Sequence, residues 1–128
     1  MKPLTREWVE KAEGDFVVAS QIMRRRKHRV YDAACFHCQQ TIEKYLKARL
    51  VEAALAFPRT HDLTVLLCLL LPIEPLWKSY ESAVKILTEY AVSFRYPGDQ
   101  ATLSEARAAL KHCRSLRIEI RRSLGLKK

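Results

Sequence analysis

Apolar residues recur every three or four positions along five stretches of the chain, the repeat of amphipathic helices. Trp8, Ala12, Phe16, Ala19 and Met23 mark the inner stripe of a first helix, predicted from about Arg6 to Arg26 with Thr5 as its N-cap. Gly14 costs that helix roughly 1 kcal/mol against alanine. Tyr31, Cys35, Cys38, Ile42, Tyr45 and Arg49 mark a second helix from about Val30 to Ala54, and Pro58 breaks the connection that follows. Thr60 suits the cap of a short third helix, with His61 and Asp62 in its first turn and Leu63, Leu66, Leu67 and Leu70 inside. Pro72 stops it, and Pro75 fits the first turn of a fourth helix. The stripe of that helix, Trp77, Tyr80, Val84, Leu87, Tyr90 or Ala91, and Phe94, leads into Arg95-Tyr96-Pro97. After a turn at Pro97-Gly98-Asp99, Thr102 and Glu105 form a capping-box pattern for the last helix. Its stripe is Leu103, Ala106, Leu110, Cys113, Leu116, Ile120 and Leu124. The expected fold class is all-α: an up-and-down bundle of about five helices. A long antiparallel hairpin should open it, because only a few residues link the first two helices.

A length of 128 residues suits one domain, residues 1–128, around one core. Only three glycines and five prolines leave little room for the many turns of a sheet sandwich. The longest apolar run, Val65 to Leu71, is seven residues, against the ~20 needed to span a bilayer. The first residues carry acids and no signal-peptide apolar region, so a cytosolic location and no membrane partner are expected. Cys35 and Cys38 have CxxC spacing, but only the single Cys68 and Cys113 remain to complete a zinc site. Small core residues are the favoured reading, and neither a metal nor a cofactor is expected.

Charge adds a second layer to the helical pattern. On the second helix, His37, Gln40, Lys44 and Lys47 form a polar stripe, and Glu43 precedes Lys47 by four residues, the favourable order for a helical ion pair. An exposed pair of that kind contributes only a few tenths of a kcal/mol, which gives stability little reason for so polar a stripe. The net charge of +9 gathers in Arg24, Arg25, Arg26, Lys27 and Arg29 and along the last helix. Such clusters attract phosphate or an acidic partner, or simply solvate a helix face.

Phe36-His37 with Gln40, Glu43, Lys44 and Lys47, then Thr60-His61-Asp62-Leu63, then Arg95-Tyr96-Pro97, resemble in order and spacing the HEPN domain family. Ala12, Asp15 and Ala19 resemble its first helix. The resemblance implies a helical bundle, often dimeric, and frequently a two-component, often toxin–antitoxin, module with a minimal nucleotidyltransferase. Some members are metal-independent RNases with an Arg and a His four to six residues apart and a polar residue just after the Arg. Arg107 and His112 have that spacing, with Ala108 where the polar residue is expected. The imidazole can exchange protons with a ribose hydroxyl while the guanidinium stabilises the phosphate.

The leading reading is a binding and assembly module that works with a nucleotidyltransferase partner. It holds nucleotide or RNA phosphate in a groove of His37, Gln40, Lys44, Lys47, His61 and Arg95. Two others stay open: an RNase toxin using Arg107 and His112, and a purely structural homodimer. Arg95 can also cap helix carbonyls, His37 can hydrogen-bond within the bundle, and His61 can bond back to a carbonyl. Trp77, Tyr90, Phe94 and Tyr96 are more aromatic surface than a small bundle readily buries, which favours pairing as a homodimer.

Overall fold

The computed structural model describes residues 1–128. It contains five α-helices and no strand: α1 (Pro3–Arg24), α2 (Tyr31–Glu52), α3 (Leu63–Leu70), α4 (Glu81–Ser93) and α5 (Leu103–Ser123). A short 3₁₀ helix, Pro75–Tyr80, leads into α4. Pro75 therefore opens a 3₁₀ turn, and the fourth helix is not continuous from that point.

Helix ends depart from expectation at three places, one through a tertiary contact and the others through local bonds. Thr5 is not the cap of α1. Pro3 takes the first helical position, where its missing N–H costs nothing, and Lys2 is the N-cap. Thr5 is instead fully buried and donates to Glu52 Oε1 at 2.9 Å. Thr60 does not cap α3 either. Asp62 does, accepting from the Thr64 amide at 2.9 Å, while Thr60 Oγ1 accepts from the Asp62 amide. His61 and Asp62 thus precede the helix. α2 ends before Ala54, which adopts φ +57°. The Leu55 amide donates to the Leu50 carbonyl and the Ala54 amide to that of Val51, the paired bonds of a Schellman cap. Alanine's strong helix propensity points the other way, so that stop is invisible to pattern reading. At α5, Gly125 fills the same position at φ +74°.

Contacts along α2 set the directions. Lys2 donates its amide to Glu52 while Asp15 meets His37 and Lys44, so α1 and α2 are antiparallel. Asp32 accepts from the Ala101 amide and Arg49 donates to Ser123, so α5 runs the same way as α2. The segment 53–62 turns back along α2, because the Gln39 side chain reaches the His61 carbonyl at 2.8 Å.

α2 is the central helix: Cys35, Cys38, Ile42, Tyr45, Leu46 and Leu50 are all fully buried. Leu63, Leu66, Leu67 and Leu70 close one side, Leu116 and Ile120 another. Ile42→Ala or Leu66→Ala should each lower stability by ~2–5 kcal/mol in chemical denaturation, since each empties a fully buried site; neutrality at both would refute this core. Burial pushes the Cys35 thiol up to about 12, helped by Glu105 and Asp32. A hydrogen bond with Cys113, then burial, raises Cys38 as well. These are core thiols, whereas Cys68 is exposed. Trp77, expected among the uncovered aromatics, is 2% exposed and belongs to the core.

Candidate functional site

The polar stripe of α2 is not a solvated face, because α1 and the 53–62 segment pack against it. Two carboxylates organise it. Asp15 on α1 accepts from His37 Nδ1 at 2.8 Å and from Lys44 Nζ at 2.5 Å. One turn further along α2, Glu43 accepts three side-chain donors: Gln39 Nε2 at 3.1 Å, Lys47 Nζ at 3.0 Å and His61 Nδ1 at 2.8 Å. Gln40 donates to Gln39 Oε1 and extends the network to the surface.

Glu43 and Lys47 are both buried, so the ion pair expected on an exposed helix face lies in a low-dielectric seam. Burial alone would raise the Glu43 pKa, but the hydrogen bonds from Gln39, Lys47 and His61 outweigh it and hold the carboxyl below the usual carboxylate value. An ionised carboxylate only accepts, so Nδ1 of His61 carries the proton and Nε2 faces outward with no partner in the chain. His37 is held in the same way by Asp15, and its ring meets Phe36 edge-on at 5.3 Å.

The six residues expected to share one groove therefore divide. His37, Lys44 and Gln40 follow the α1–α2 seam. Lys47 and His61 meet around Glu43 and open onto a cavity of about 490 Å³ with Trp8, Phe57, Arg59 and Thr60. Arg95 lies apart. Its guanidinium makes no hydrogen bond, so it does not cap the carbonyls of α4, and sits 6.0 Å above the Phe36 ring. There it joins Asp32, Ala33, Phe36, Tyr90, Ala91 and Phe94 around an apolar groove of about 270 Å³. His61 bonds back to a carboxylate rather than a carbonyl.

Arg107 is exposed and makes no ion pair; His112 is half-buried on the same helix. Five residues on a straight helix turn the two about 140° apart, so one chain does not aim both at one phosphate. Burial, with the Lys111 charge beside it, pulls His112 below the ordinary histidine value.

Several cations of α5 are engaged inward. Glu13 on α1 takes a two-pronged bond from Arg117 at 2.6 and 2.7 Å and accepts from the Tyr45 hydroxyl at 2.6 Å. Arg121 donates to that hydroxyl and Arg117 covers the Phe16 ring at 4.3 Å. These bonds overcome the effect of burial and lower the Glu13 pKa. Arg107, Lys111 and Arg114 remain as the unpaired outer stripe.

Residues missed in the sequence are Glu43 as organiser, Gln39, and the Phe57–Arg59 wall. The Gln39-to-Glu43 spacing of one helical turn carried a signal; Phe57 and Arg59 lie in a connection without periodicity. No three His, Cys, Asp or Glu side chains converge as a metal ion would require. No helix is long and apolar enough to cross a membrane.

A helical bundle with a long opening hairpin and a polar seam on its central helix defines the class, and comparison with protein families agrees. The HEPN domain matches residues 5–122. The chain belongs to the HEPN domain family. The crystal structure of TT1696 from Thermus thermophilus has the same fold, with a TM-score of 0.78 at 22% identity, covering 92% of this chain and 96% of that one. Comparison with curated protein sequences finds no match.

Proposed function

We propose that residues 1–128 act as one domain, a binding and assembly module that pairs with itself and works with a minimal nucleotidyltransferase partner. One observation carries this reading. Asp15 and Glu43 hold two histidines and two lysines in place along the polar side of α2. Buried charge is costly unless paired, and the spare ammonium hydrogens of Lys44 and Lys47 suit a phosphate-bearing ligand. The apolar groove between α2 and α4, with Phe36, Phe94 and Arg95, suits a second copy of the chain. Val92 and Tyr96 beside it are 56% and 62% exposed.

A metal-independent RNase is disfavoured by the divergent directions of Arg107 and His112 and by Ala108 after the arginine. Purified protein should leave single-stranded RNA intact in the presence of a chelator. Cleavage abolished by both Arg107→Ala and His112→Ala, with helicity retained, would put the RNase reading ahead. Co-expression with a neighbouring reading frame bearing a nucleotidyltransferase Gly-Ser and paired-Asp pattern should give a co-purifying complex. Absence of such a frame would leave the structural homodimer.

A further inference from the structure

We infer that the tip of the α1–α2 hairpin and the outer flank of α5 together form a docking surface for double-stranded nucleic acid, held through its phosphate backbone. This goes beyond the binding reading above and uses no residue of the polar seam.

The end of α1 and the link to α2 carry Arg24, Arg25, Arg26 and Lys27, all exposed. Arg29 donates through Nε to the Arg25 carbonyl and closes the link on itself. On α5, Arg107, Lys111 and Arg114 are exposed. The lysine and arginine ion pairs of the chain take up Lys44, Lys47, Arg49, Arg117, Arg121 and Arg122, and none of these cations.

Helix register brings the two groups together. Glu13 on α1 meets Arg117 and Arg121 on α5. Arg24 follows Glu13 by close to three full turns, so it lies on the flank of α1 that faces α5. Arg114 and Arg107 precede Arg121 by one and two heptads, so they lie on the flank of α5 that faces α1. The two helices run in opposite directions. From the Glu13–Arg117 contact, Arg24 lies about 16 Å along α1 and Arg107 about 15 Å along α5, toward the same end of the bundle. Of the carboxylates there, Asp32 accepts from the Ala101 amide and Glu105 closes the capping box of α5. Asp99, in the turn before α5, stays exposed, and the cations outnumber it.

What accompanies the charge selects the partner. A protein interface has an apolar core and is poor in lysine. α5 has no exposed large apolar side chain, and Ser104, Ala108 and Ser115 lie among its cations. The exposed Val17, Val18 and Val30 nearby are scattered and too small to make such a core. Single strands are gripped by stacking their bases on aromatic rings, and residues 24–30 and 103–128 contain none. A field of guanidinium and ammonium groups without rings suits the dense, regular phosphates of a duplex. Backbone contacts carry no sequence information, so DNA and RNA duplexes of any sequence should bind alike.

Fluorescence anisotropy with a short labelled DNA duplex, the matching RNA duplex and one unpaired strand tests the surface. Both duplexes should bind more tightly than the strand. Affinity should fall with salt on a logarithmic slope of about −0.9 for each phosphate contacted. Arg25→Glu with Arg26→Glu should weaken duplex binding by about tenfold or more and flatten that slope by about two. Lys111→Glu with Arg114→Glu should do the same. All four sites are exposed, so helicity in circular dichroism should be unchanged. Lys78→Glu, on the 3₁₀ helix beside the far end of α5, should bind as wild type does. Loss from one pair of substitutions and not the other would overturn the joint surface. Tighter binding of the unpaired strand would overturn the choice of a duplex. Displacement by polyglutamate more readily than by unlabelled duplex would assign the surface to an acidic protein instead. No binding of any probe at low salt would overturn the docking surface outright and leave these cations to solvent.

Discussion

Glu43→Ala should destabilise the folded chain by about 3–5 kcal/mol, the cost of stripping one partner from a buried pair. The carboxylate accepts from Gln39, Lys47 and His61, and its loss strands the Lys47 ammonium in a seam where that residue is only 8% exposed. Replacing both partners, Glu43→Leu with Lys47→Leu, should recover much of the loss, because no unpaired charge remains. A single substitution as mild as a surface change would refute the buried seam. The same carboxyl makes stability pH-dependent, and the sign follows from its lowered pKa. The unfolded chain binds the proton more tightly. The contribution is therefore present above the ordinary value of 4.5 and fades as pH falls through it toward the folded value. Glu13, also lowered, adds in the same direction. Urea denaturation at about pH 7 and about pH 4 should show a larger drop in wild type than in Glu43→Gln.

Phe94→Asp should convert a dimer to a monomer while leaving helicity unchanged. Phe94 is half-buried at the end of α4, 5.3 Å from the Tyr90 ring, and lines the groove that ends at Arg95. Phe36, Val92 and Tyr96 extend the apolar surface beyond what this chain covers. A carboxylate placed there should remove about 2 kcal/mol or more of association free energy, the scale of an interface hot spot. Sedimentation equilibrium at tens of micromolar reads the outcome. Wild type should run at twice the 14.9 kDa of one chain, and a monomeric wild type would end the pairing reading.

The prediction uses a narrower aromatic surface than the chain alone suggested. Trp77 shares the stripe of Val84 and Leu87, and all three are buried, so its spacing already assigned it to the core and only Tyr90, Phe94 and Tyr96 remain as uncovered aromatic surface.

The order of residues by itself determined the helices, their inner stripes and the capping box at Thr102, because each rests on contacts within a few positions. It also placed Glu43 beside Lys47. Only the tertiary structure decided that this pair is buried, since burial depends on α1 and the 53–62 segment closing over the stripe. It alone separated Arg95 from His61 and brought Phe57 and Arg59 to Trp8 and Lys47. Those partners lie dozens of residues apart, and the segment that carries two of them has no repeat to betray its path. Asp15 and Glu13 belong to the same lesson. Asp15 borders the apolar stripe of α1 at helical spacing from Ala12 and Ala19, Glu13 lies farther round the helix, and each meets cations from α2 or α5 across a seam. A two-state apolar–polar pattern specifies which face is buried, whereas charge pairing across helices depends on their directions and register, which packing sets.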